Sequence, residues 1–135
     1  MGRRVILDTG VLVAAVRGRI SLDSVCFDDD DIAIAAVTVA ELLAGVELAN
    51  DYNRGMRQRF IDTVLALVPA EDYNMTVARV HARLLAYVKS QGKKRGAYDL
   101  MIAATAVATA RSVVTTDESA CFDELPGVSA IVARP

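Results

Sequence analysis

The chain contains no tryptophan, and tyrosine and phenylalanine together make up only 5 % of it. That is too few rings for a row of stacking platforms along a single-stranded nucleic acid. Its one histidine, His81, lies in a helical stretch between Val80 and Ala82. A lone histidine excludes Ser-His-Asp and Cys-His catalysis and speaks against a structural zinc site. Two cysteines, Cys26 and Cys121, stand far apart with no CxxC spacing. They read as buried thiols of a reducing compartment. Charge of one sign is not in excess: the net charge is −2. This argues against a protein that coats itself in nucleic acid.

Long apolar runs are missing too. Residues 100–110 form the longest uncharged stretch beyond the N-terminus, far short of the ~20 residues that span a bilayer. Gly2-Arg3-Arg4 precedes an apolar stretch, but Asp8 interrupts it and no clean small-residue cleavage site follows. The expectation is a cytoplasmic protein with no membrane association. No internal repeat and no Pro/Gly/Ser-rich linker divides the chain, so residues 1–135 are expected to form one domain.

What is present is an alternation of strand and helix signals. Val5-Ile6-Leu7 is a short apolar run closing on Asp8, as in a strand buried on both faces. A helix is predicted over 11–17 and a second strand over 32–37. Thr38 and Glu41 have the spacing of a capping box, which predicts a helix from there to about Asn50. Helical spacing places Met56, Phe60, Val64 and Leu67 on one face of a helix over 53–67. It likewise places Val77, Val80, Leu84, Leu85 and Val88 on one face of a helix over 74–91. A short strand is expected near Val68-Pro69. A basic loop, Gly92 to Gly96, precedes a helix of small residues over 99–110. Strands over 112–116 and 128–133 complete the pattern. Such alternation predicts a three-layer α/β/α sandwich around a mainly parallel sheet.

In that architecture ligands bind beyond the carboxyl ends of the strands. Asp8 and Asp117 each close a strand, and Glu41 and Asp99 each lie in the first turn of a helix. Four acids from distant segments are thereby expected to converge at one sheet edge. Carboxylates packed together repel unless some protonate or a cation joins them. Oxygen donors without histidine or cysteine suit Mg²⁺, which can activate water and stabilise a phosphodiester transition state. Taken singly, Glu41 also reads as a capping acid and Asp99 as a partner of the helix dipole. Asp8 is harder to read that way, because a charge beside a buried strand is costly without a function.

Four segments resemble the motifs of PIN-domain ribonuclease toxins of VapC type. They are Val5-Ile6-Leu7-Asp8-Thr9-Gly10-Val11-Leu12, then Thr38-Val39-Ala40-Glu41-Leu42-Leu43-Ala44-Gly45-Val46, then Asp99-Leu100-Met101-Ile102-Ala103-Ala104-Thr105-Ala106, and finally Val114-Thr115-Thr116-Asp117 with Phe122 and Leu125-Pro126-Gly127-Val128 behind it. They occur in the family's order and cover nearly the whole chain. The resemblance implies a PIN-like fold and an endoribonuclease dependent on Mg²⁺, with Mn²⁺ as a substitute. It implies that Asp8, Glu41, Asp99 and Asp117 are metal ligands and catalytic residues, and that Thr115 positions a water. Asp117 rather than its neighbour Glu118 is taken as the fourth acid. A homodimer, an RNA substrate and a cognate antitoxin that blocks the site are further implications.

Lys93, Lys94 and Arg95 read either as a grip on RNA phosphates beside the acids or as a solvated loop. Arg54, Arg57 and Arg59 read as a helix surface, and the acids from Asp28 to Asp31 as a solvated turn. Among rival readings, Asp8-Thr9-Gly10 also occurs in retroviral-type aspartic proteases. Those are all-β, against the long helical stripes here. A haloacid-dehalogenase-type phosphatase requires an acid where Gly10 stands. A PIN-like fold serving only as an inert interaction module is the remaining alternative, and the presence of all four acids counts against it.

Overall fold

The structure, a computed structural model, describes residues 2–135. Five strands form one sheet in the order β3-β2-β1-β4-β5, every neighbouring pair parallel. They are β1 (Arg4–Leu7), β2 (Asp31–Ala35), β3 (Ala70–Glu71), β4 (Ser112–Thr115) and β5 (Ala130–Val132). Five helices connect them: α1 (Thr9–Val16), α2 (Ala36–Leu48), α3 (Asp51–Leu67), α4 (Met75–Gln91) and α5 (Ala97–Ala108). Short 3₁₀ turns, Glu118–Ala120 and Phe122–Glu124, lead from β4 towards β5.

The strands are apolar throughout because both faces of the sheet are covered. Side chains alternate between the faces. Val5, Leu7, Ile34 and Val114 pack with Val11, Leu12, Leu42, Val46, Ile61 and Val64 of α1, α2 and α3. Ile6 and Val113 point the other way, into Val77, Val80 and Leu84 of α4 and Leu100, Ile102 and Ala103 of α5. Ala103, Ala104 and Ala106 of α5 are wholly buried, which lets this helix lie close to the sheet. The three-layer expectation holds.

Several local expectations do not. β2 ends at Ala35, and α2 starts two residues before the expected cap. Its N-cap is Ala35, with no side-chain hydrogen bond. The capping box at Thr38 and Glu41 therefore does not form, because both side chains are engaged elsewhere. On α3 the buried residues are Ile61 and Val64; Met56 and Leu67 face solvent. On α4, Leu85 is exposed while Val77, Val80 and Leu84 carry the core. The cysteines are free but only half-buried. The acidic turn is not merely solvated: Asp30 accepts from the Arg3 guanidinium and the Phe27 amide. Arg54 closes the end of α2 by donating to the carbonyls of Val46 and Ala49.

β1 is the central strand, and the chain leaves it towards β2 on one side and returns as β4 on the other. The carboxyl ends of β1 and β4 thus flank the switch point of the topology, where α/β sheets open a crevice. No helix among the described residues is long and apolar enough to cross a membrane.

Candidate active site

Asp8 directly follows β1 and takes the N-cap position of α1 in extended backbone, without capping the helix through its side chain. It is 8 % exposed. Its amide donates to the Val114 carbonyl, which locks it to the end of β4. Its Oδ2 accepts from the Thr115 hydroxyl at 2.9 Å. Thr115 Oγ1 in turn accepts from the Asp117 amide at 3.0 Å. One buried threonine thereby ties the acid after β1 to the acid after β4.

Asp117 is held by its own turn. Its Oδ1 accepts from the backbone and the hydroxyl of Ser119. The side chain of Glu118 turns instead to the Arg134 guanidinium. Asp99 sits in the first turn of α5 and is half-buried. A Cβ added at Gly96, the N-cap of α5, would lie 3.1 Å from Asp99 Oδ2. Glu41, half-buried on α2, accepts from the Thr9 hydroxyl at 2.8 Å.

These four acids influence one another. Burial pushes the Asp8 carboxyl above the usual carboxylate range; the Thr115 hydroxyl opposes this, and Asp99 and Glu41 push in the same direction as burial. Burial likewise raises Asp99, with Asp117 adding to the rise and Arg95 opposing it. Among the described residues, Asp8, Glu41, Asp99 and Asp117 take part in no ion pair, although seven ion pairs form elsewhere. The expected convergence on a single spot is looser than anticipated. No group of three or more His, Cys, Asp or Glu side chains among the described residues is gathered closely enough to hold a metal ion. The acids form a chain of neighbours, Glu41 to Asp8 to Asp99 to Asp117. Their donors are all oxygen, none is in an ion pair among the described residues although Arg95 acts on Asp99 from a distance, and Mg²⁺ needs only one or two carboxylates when water and phosphate complete its shell. The residues therefore fit such an ion.

The basic loop divides in two. Arg95 donates to the carbonyls of Ala120 and Cys121 and to Glu124 Oε2. Its guanidinium is occupied in fastening the turn that follows Asp117. Lys93 and Lys94 remain exposed and line an open cleft with Gly96, Asp99 and Ser119. His81 lies on α4 and bonds Tyr73 through Nδ1, outside this crevice. Thr9, Thr38 and Ser119 escape a reading of the sequence as site residues. Only the place of Thr9 beside Asp8 hints at its part.

A family description for the PIN domain matches residues 5–128. The chain is 33 % identical over 129 residues to the ribonuclease VapC5 of Mycobacterium tuberculosis, covering 93 % of this chain and 90 % of that one. It is 30 % identical over 126 residues to the toxin FitB of Neisseria gonorrhoeae, covering 87 % and 91 %. Among solved structures, the crystal structure of VapBC-5 from Mycobacterium tuberculosis, a member of the VapBC family of toxin–antitoxin systems, matches with a TM-score of 0.77 at 29 % identity, over 95 % of this chain and 97 % of that one. The crystal structure of VapBC2 from Rickettsia felis bound to a promoter DNA fragment matches in fold at a TM-score of 0.83 and 22 % identity, over 95 % and 97 %. With that match running from β1 to the residues just before β5, and with the four acids in place along it, the chain belongs to the PIN-domain family, among its VapC-type toxins.

Proposed function

We propose that this protein is a Mg²⁺-dependent endoribonuclease, with Mn²⁺ as a substitute, and the toxin of a toxin–antitoxin pair. The observation that carries the reading is a buried aspartate, Asp8, with Asp99 and Glu41 as acidic neighbours and no ion pair among the described residues. An uncompensated charge cluster of this kind is costly to a fold and is retained where chemistry needs it. The names of its relatives, ribonuclease VapC5 and toxin FitB, support the substrate class and the toxin role.

Asp8, Glu41, Asp99 and Asp117 would hold the ion between them, some directly and the others through its waters, and when bound it would supply an activated water and offset charge on the scissile phosphate. Thr115 orients Asp8 and, through the Asp117 amide, the turn that carries the fourth acid. Ser119 holds the Asp117 carboxylate from the other side. Lys93 and Lys94 attract the RNA backbone on the flank of Asp99 without reading its sequence. A cognate antitoxin restrains the enzyme, and the protein works as a homodimer; the toxin–antitoxin neighbours support the first of these.

The test is cleavage of total cellular RNA by the purified protein with Mg²⁺ or Mn²⁺, with EDTA, and by Asp8→Asn. Discrete products are expected with metal and are lost with EDTA. In Asp8→Asn the rate is expected to fall about a hundredfold or more, because a carboxylate that holds the ion is lost together with the charge stabilisation the ion supplies. A wild-type rate in Asp8→Asn overturns the assignment. Absence of both cleavage and metal binding makes the protein an inert interaction module.

A further inference from the structure

Thr38 lies in the first turn of α2, is completely buried, and caps nothing. Thr9 opens α1 and is 8 % exposed. Their hydroxyl oxygens are 2.9 Å apart, and the Thr9 oxygen lies 2.8 Å from Glu41 Oε1. The direction of the protons follows from chemistry. A carboxylate only accepts, so Thr9 donates its one hydroxyl proton to Glu41, and its oxygen must then accept from Thr38. Two hydrogen bonds in series polarise each other in a buried setting. Threonine is stiff about χ1, so the backbone of α1 dictates where its hydroxyl points. Thr9 stands next to Asp8 in the chain, so the residue that follows one acid binds a second through its side chain.

We propose that Thr9 and Thr38 form a buried hydroxyl relay that fixes the orientation in which Glu41 presents its carboxylate to a divalent cation. This rests on the metal-dependent reading of the site. Thr9 is a positioning residue: it acts through Glu41 and touches neither ion nor RNA. Partners of this kind behind a metal ligand are worth about 10–100-fold in metal affinity. α2 begins without a side-chain cap because Ala35 stands at its N-cap, which leaves the Thr38 hydroxyl to α1.

The test is calorimetric titration of the full-length protein with Mn²⁺ in the absence of RNA, alongside thermal melts without metal. Thr9→Val, which keeps the amide and removes the hydroxyl, is expected to weaken Mn²⁺ binding about tenfold. Thr9→Ser is expected to restore wild-type affinity, and Thr38→Val to weaken binding less than Thr9→Val. Because the relay acts through Glu41, adding Thr9→Val to Glu41→Gln is expected to cost no further affinity. Thr9→Val that melts lower yet binds Mn²⁺ as the wild type does overturns the relay and leaves the metal reading standing, as does a loss that adds fully to that of Glu41→Gln. Wild-type protein that binds no Mn²⁺, or Asp8→Asn that binds it equally well, overturns the metal reading and the relay with it.

Discussion

The two edges of the parallel sheet both carry acids, and they treat them in opposite ways. Where β1, β2 and β4 begin, guanidiniums hold Asp30, Asp31 and, reaching from the end of β3, Glu71. Arg111, 8 % exposed, donates to the carbonyls of Val5 and Asp31 and pairs with the carboxylates of Asp31 and Glu71. Arg4 bridges Asp31 and the end of α5. Arg3 holds Asp30 and lies over the Phe27 ring. Where β1 and β4 end, Asp8, Glu41 and Asp117 have hydroxyls and amides for partners, and among the described residues neither they nor Asp99 form an ion pair. The Arg3 hydrogen bond brings Asp30 down to about 2, whereas burial raises Asp8 and Asp99. One edge fastens the strands together. The other holds negative charge at a cost in stability.

The largest expected effect tests the fastening edge. Arg111→Ala strips partners from two carbonyls and two carboxylates at once, although its own Nε has none to lose. It should lower the free energy of unfolding in urea by ~3 kcal/mol, the scale for breaking a buried charged network. The cleavage rate per folded molecule should not change. Loss of activity in a fully folded Arg111→Ala sample would break the separation between the edges.

A paired comparison comes next. Asp30→Asn should cost ~1–2 kcal/mol by weakening charge-assisted hydrogen bonds and leave cleavage intact. Asp8→Asn should do the reverse, raising the melting temperature in EDTA by a few degrees while abolishing cleavage. Melting curves and RNA gels on the same two preparations decide this.

Acid should separate the edges in the wild type. Asp30 is depressed in the folded state, so its contribution is fully present above the unfolded value near pH 4 and is lost as pH falls towards about 2. Asp8 and Asp99 are raised, so their destabilisation is complete at neutral pH and is relieved as pH falls through their folded values. In EDTA the melting temperature should therefore rise slightly on mild acidification and then drop steeply. The steep drop should be blunted in Asp30→Asn.

The smallest effect belongs to Gly96→Ala. Its backbone is unstrained, and a methyl there meets only the Asp99 carboxylate. Unfolding free energy should change by no more than ~0.5 kcal/mol, the scale of an N-cap change. Cleavage should fall a few-fold as Asp99 is displaced, which initial rates would register.

Much of this was open to inspection in the chain itself, and the failures are informative. Val-Ile-Leu before Asp8 marks a doubly buried strand because no other setting explains so dense an apolar run beside a charge. The stripe of α4 is readable at Val77, Val80 and Leu84, since period alone selects that face. The stripe of α3 is not, because Met56 and Leu67 satisfy the same period yet lie beyond the reach of the sheet. Thr38 and Glu41 have capping-box spacing, but spacing cannot say that Thr9 of another helix outcompetes the cap. Arg95 reads as a phosphate grip or a solvated loop residue, because sequence shows its charge and not the carbonyls of Ala120 and Cys121 that it binds.

Neighbouring residues alone carry the alternation of strands and helices and the places of Asp8, Asp99 and Asp117 at element ends, because periodicity and local punctuation are short-range, and the motifs carry the family resemblance; Glu41, expected in the first turn of its helix, stands in the second turn of α2 instead. Tertiary structure alone decided which charges are neutralised. Arg111 finds Asp31 and Glu71 across 80 and 40 residues of chain, and Thr115 finds Asp8 across 107. Pairing at such separations depends on the strand order, and strand order is fixed only when the whole sheet closes its two cores.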